Sequence, residues 1–126
     1  MKLRIRGNSL RFRLTQEEVK QLEGGGSVVE SLRLGPLPQQ QLTYSLHSRV
    51  DAQAIALEYR SGTLGVFLPS QMCEGWMDSD QVGFRGEIPV EGGEPVTVLV
   101  EKDFACLTPR DPVEDAGAFP NPGDSC

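Results

Sequence analysis

From Lys2 to Leu14 the chain alternates basic and apolar residues on both sides of a Gly7-Asn8-Ser9 break. That period of two, interrupted by turn-forming residues, specifies a β-hairpin with one half-buried face. Leu3, Ile5, Leu10, Phe12 and Leu14 are expected to face a core. Successive strand residues point to opposite sides, so Lys2, Arg4, Arg6, Arg11 and Arg13 then share one cationic surface. The far end of the chain has the opposite character: from Thr108 to Cys126 it is acidic and proline-rich.

The 126 residues suit one domain with a single hydrophobic core. Short apolar runs rich in Val, Leu and Ile, with 14 glycines and 9 prolines between them, favour strand over helix. Thr15-Gln16-Glu17-Glu18 has the spacing of a capping box, so a helix should begin there, bury Val19 and Leu22, and stop at Gly24-Gly25-Gly26. Strands are expected at Val28–Leu34 and Leu42–His47, with His47 on the polar side beside Thr43 and Ser45. Ala54–Arg60 and Thr63–Leu68 read as a hairpin about Ser61-Gly62, with Ile55, Leu57, Tyr59, Leu64, Val66 and Leu68 inward. A second helix should follow Pro69-Ser70, carry Met72, Cys73, Trp76 and Met77 as an apolar stripe, and end at Asp78-Ser79-Asp80. Strands at Val82–Ile88 and Val96–Lys102 complete the pattern.

These elements define an α+β class: a mainly antiparallel sheet of about seven to eight strands with two short helices. Residues 1–107 form the domain, and 108–126 form an extended C-terminal strap. There is also an internal echo. Arg13-Leu14-Thr15-Gln16 and Phe67-Leu68-Pro69-Ser70 each lead from strand to helix, at an offset that sets Leu22 against Trp76 and Val28 against Val82. Two β-α-β halves sharing one antiparallel sheet would explain it.

A net charge of −6 argues against general nucleic-acid binding, which depends on neutralising phosphates. After Lys2 an arginine interrupts every apolar residue until Gly7, which is not the pattern of a secretory signal, so a cytoplasmic protein is expected. No apolar run is long enough for a membrane span. The cysteines at 73, 106 and 126 are odd in number and form no C-x-x-C pair, which suits reduced thiols.

The opening Lys2-Leu3-Arg4-Ile5-Arg6-Gly7-Asn8-Ser9-Leu10-Arg11, the closing Glu101-Lys102-Asp103-Phe104-Ala105-Cys106-Leu107, and Asp115 with Phe119-Pro120-Asn121-Pro122 resemble a family of small uncharacterised bacterial proteins. The resemblance runs over nearly the whole chain. It implies a small bacterial cytosolic domain and carries over no activity and no catalytic residue.

Candidate sites divide into two classes. The basic hairpin face, Lys2, Arg4, Arg6, Arg11 and Arg13, suits phosphate or carboxylate, because guanidinium groups present a planar fork to either. The same face could instead lie under the tail, where Asp111, Glu114, Asp115 and Asp124 have the complementary sign. Phe119 is a tail anchor, into its own domain or into a second copy to make a homodimer. The rival class is chemical. Cys106 and Cys126 with His47 or Cys73 could hold zinc, Cys106 and His47 could form a nucleophilic dyad, and Glu101 and Asp103 could share one side of a strand. No G-x-S-x-G elbow is present, and the glycines at 24–26 follow a helix rather than a strand, so they form no phosphate cradle. The favoured reading is a non-enzymatic binding or protein-interaction module, with no cofactor. The alternative is a small metal-binding protein or enzyme using Cys106, His47, Glu101 and Asp103.

Overall fold

The N-terminal alternation forms the hairpin it specifies, with β1 (Lys2–Arg6) antiparallel to β2 (Ser9–Leu14). Gly7 turns the chain at φ 54°, a left-handed conformation that costs glycine nothing. Asn8 then fastens the hairpin tip, its side-chain amide donating to the carbonyls of Glu94 and Pro95 at 3.0 and 2.9 Å. The structure is a computed structural model that describes residues 1–105 and 116–120.

Thr15 caps α1 (Gln16–Glu23) as its spacing requires: its hydroxyl accepts from the Glu18 N–H while the Glu18 carboxylate accepts from the Thr15 N–H. Then follow β3 (Ser27–Arg33), β4 (Gln41–Arg49), β5 (Ala56–Arg60), β6 (Thr63–Pro69), α2 (Ser70–Cys73), β7 (Gly83–Ile88) and β8 (Val96–Lys102). The second helix is shorter than its apolar stripe implied. Glu74 turns extended and Gly75 adopts φ 69°, which ends the helix before Trp76. Trp76 is still fully buried, its indole N–H donating to Gln81 O at 2.9 Å.

The strands form two four-stranded mixed sheets rather than one mainly antiparallel sheet. Sheet I has the order β1-β2-β8-β7 and sheet II the order β3-β4-β6-β5. Each is two antiparallel hairpins joined by a parallel pair, β2 with β8 and β4 with β6. Alternation identifies a strand and a short turn identifies a hairpin, but neither says which distant hairpin it will lie against.

The echo is a structural repeat, but its halves do not share one antiparallel sheet. Lys2–Arg6 returns 54 positions later as Ala56–Arg60, and Ser9–Leu14 returns as the start of Thr63–Pro69. The registers repeat as well: Lys2 opposite Arg13 becomes Ala56 opposite Phe67, and Ser9 opposite Thr97 becomes Thr63 opposite Thr43. Only the β3–β4 and β7–β8 ladders differ. Ser27 faces His47, but Gly83 rather than Gln81 faces Glu101, a shift of two residues that leaves every side chain on its original face. Each half is therefore β-β-α-β-β, and each contributes one hairpin to each sheet.

The inward faces and helices bury Phe12, Leu14, Val19, Leu22, Leu46, Val66, Leu68, Trp76, Val98 and Val100 completely. Ile5 and Tyr59 depart from expectation. Although their parity is inward, they are 59% and 67% exposed. They occupy equivalent positions beside the two hairpin turns, where the core no longer covers them.

Candidate functional site

Side chains on the outer face of sheet I fall into three rows. Lys2 lies beside Arg13, Glu101 and Gly83; Arg4 beside Arg11, Leu99 and Arg85; and Arg6 beside Ser9, Thr97 and Glu87. The structure thus brings all five basic residues of the hairpin to one face and adds Arg85. Three of the six cations are neutralised. Lys2 Nζ meets Asp103 Oδ2 at 2.9 Å, Arg11 Nε meets Glu101 Oε1 at 2.6 Å, and Arg85 meets Glu87 at 3.1 Å. Arg4, Arg6 and Arg13 have no ion pair among the described residues. Arg4, Arg6, Ser9, Arg11 and Leu99 line an open depression of about 240 Å³, and Lys2, Leu3, Arg4, Arg11 and Arg13 line another of about 140 Å³.

Glu101 and Asp103 are committed to cations of this face. Asp103 is 2% exposed, and its second oxygen, Oδ1, has no hydrogen-bond partner among the described residues.

His47 lies elsewhere, on the outer face of sheet II. Its Nδ1 is 2.7 Å from Ser27 Oγ and its Nε2 is 2.9 Å from Ser45 Oγ. The ring stacks on Phe67 at 5.0 Å, and the Arg49 guanidinium sits 4.2 Å above the same phenyl. Burial, reinforced by the Arg49 charge, holds the imidazole below its ordinary pKa. Cys106 and Cys126 lie outside the described residues, so both the zinc set and the Cys106–His47 dyad do too. The structure does not bring His47 together with Glu101 and Asp103, since they belong to different sheets. No group of three His, Cys, Asp or Glu side chains among the described residues could hold a metal ion. Cys73, the last residue of α2, is buried, and burial pushes its thiol pKa up.

Around His47 is a depression of about 270 Å³ that sequence reasoning missed. It is lined by Ser45, His47, Glu58, Arg60, Ser61, Thr63, Gly65 and Phe67. It is the counterpart of the arginine-lined depression: Glu58 stands where Arg4 does, Arg60 for Arg6, Thr63 for Ser9 and Gly65 for Arg11. The 54-residue echo, extended beyond its helix-entry residues, was the signal that could have found it.

Phe119 is anchored in its own domain. It is 6% exposed, meets Phe104 edge-on at 5.7 Å, and donates its N–H to Asp103 O at 2.6 Å. Gln16 holds the same strap, its backbone N–H donating to Gly117 O and its side chain to Ala118 O, both at 3.1 Å. The acidic residues Asp111, Glu114, Asp115 and Asp124 lie outside the described residues. The sequence also gave no hint that the Met1 amino group is clamped by Glu18 at 2.6 Å and Glu30 at 3.3 Å.

Two mixed sheets, each built from one hairpin of either half, with two short helices make this an internally repeated, mostly β member of the α+β class, with no helix among the described residues long and apolar enough to cross a membrane. A profile described as a family of unknown function (DUF7009) matches residues 1–123, and the chain belongs to that family. Neither the curated proteins nor the solved structures contain a significant match.

Proposed function

We propose that the domain is a non-enzymatic binding module whose working surface is the outer face of sheet I and whose ligand is an acidic protein segment. One observation carries this reading: Arg4, Arg6 and Arg13 stand in adjacent rows of one face with no ion pair among the described residues. Like charges directly opposite each other across a ladder are destabilising, and Arg4 faces Arg11 while Lys2 faces Arg13. An anionic ligand relieves that repulsion. The chain's overall charge of −6 opposes long polyanions such as nucleic acids, but it leaves a short acidic segment free to engage a local cationic field.

Phe119 and its neighbours serve as an internal strap in this reading, and the tail is not the contact surface. The metal or enzyme alternative has less support, because Glu101 and Asp103 neutralise cations while His47 bonds two serines on the other sheet.

Fluorescence anisotropy with labelled polyglutamate tests the proposal. The full chain should bind, more weakly as salt is raised, and a variant carrying Arg4→Glu and Arg6→Glu should lose binding by more than about tenfold. Equal binding by the variant would rule out this face.

A further inference from the structure

We infer that the acidic partner docks as an added strand along the free edge of β1, its acidic side chains over Lys2, Arg4 and Arg6 alternating with apolar side chains over Leu3 and Ile5. This inference rests on the binding reading above and specifies the partner's conformation and sequence pattern.

Among the described residues β1 is the outermost strand of sheet I and pairs only with β2. The Gly7-Asn8 turn contains two residues, so the flanking Arg6–Ser9 pair exchanges both backbone hydrogen bonds. Hydrogen-bonded and non-bonded pairs alternate along an antiparallel ladder, which makes Arg4–Arg11 and Lys2–Arg13 bonded as well. The backbone N–H and C=O groups of Leu3 and Ile5 therefore point away from β2, toward the open edge. Neither residue has a backbone partner beyond the hairpin among the described residues.

The side chains on the two sides of this edge differ in kind. Arg4 and Arg6 are exposed on the outer side, while Ile5, 59% exposed, lies on the other. A new strand would sit about 4.8 Å from β1, with same-side residues about 6.7 Å apart, in step with those of β1 whichever way it runs. A segment alternating acidic and apolar residues satisfies both sides at once. A second copy of β1 does not, because it would set Lys2, Arg4 and Arg6 against an identical row. The equivalent edge, β5, has the same hairpin geometry and an exposed Tyr59, but its outer side carries Ala56, Glu58 and Arg60. It offers no net charge to select acids, so it serves as an internal control.

The test is amide hydrogen exchange on the full chain with a capped peptide that alternates valine and glutamate. Saturation should slow exchange at Leu3 and Ile5 by about tenfold or more and leave Leu57 and Tyr59 of β5 unchanged. The same residues rearranged into separate valine and glutamate blocks should bind more weakly and protect neither amide. If Arg4→Glu with Arg6→Glu abolishes binding of the alternating peptide, yet that peptide leaves Leu3 and Ile5 unprotected in the unsubstituted chain, strand addition is overturned and the basic face stands. If no acidic peptide binds, both are overturned.

Discussion

Arg4 and Arg11 face each other across one ladder, and among the described residues only Arg11 has a carboxylate, Glu101, to answer it. At the equivalent place in the second sheet Glu58 faces Gly65, and the missing side chain opens the floor of the His47 depression. A Cβ added at Gly65 would meet Phe67 and Ser45 at ordinary contact distances of 3.5–3.6 Å, so this glycine makes space without being demanded by backbone strain. His47 itself carries a pH prediction. Its folded pKa lies below the unfolded value near 6.5, so the unfolded chain takes up a proton that the folded state resists. Its contribution is fully present above that value and is lost as pH falls from about 6.5 toward about 5, where carboxylates begin to titrate. Urea denaturation across this window should show stability falling on acidification, with a shallower slope in His47→Gln. An equal slope in both proteins would contradict the assignment.

Among the elements, the strap is bound through Phe119 at the end of β8 and through Gln16 at the start of α1. Phe119→Ala should cost about 3–5 kcal/mol in chemical denaturation, the range for removing a buried phenyl that its surroundings only partly refill. A loss within error of zero would mean that the strap contributes no stability. How legible each element was follows from how local its causes are. The β1–β2 hairpin and the capped start of α1 depend on neighbours a few residues away, so alternation and Thr15…Glu18 were enough to find them. The end of α2 turns on a left-handed Gly75 inside an otherwise helical spacing, and the stripe of Met72, Cys73, Trp76 and Met77 concealed it. The basic face was readable because one hairpin supplies five of its cations. The His47 depression was not, since it requires β4 to lie parallel to β6, and no local pattern encodes a pairing between distant hairpins.

For the whole molecule, the internal repeat couples the stability of one half to that of the other. Each half places its hairpins in different sheets, so β2 depends on β8 and β4 on β6 from the other half. A fragment ending at Ala54 should therefore be either unfolded or paired with a second copy of itself, by circular dichroism and sedimentation. A folded monomeric fragment would show that the halves do not depend on each other. The same repeat yields two equivalent outer faces on one frame: that of sheet I carries the five hairpin cations and Arg85, while that of sheet II has, among the described residues, only Arg33, Arg49 and Arg60, with Glu58 between them. Amide chemical shifts recorded during titration with polyglutamate compare the two faces directly in one sample. Shifts concentrated in β1, β2 and β8, with β4, β5 and β6 still, are the expected result; shifts centred on sheet II, or none on either sheet, would contradict it.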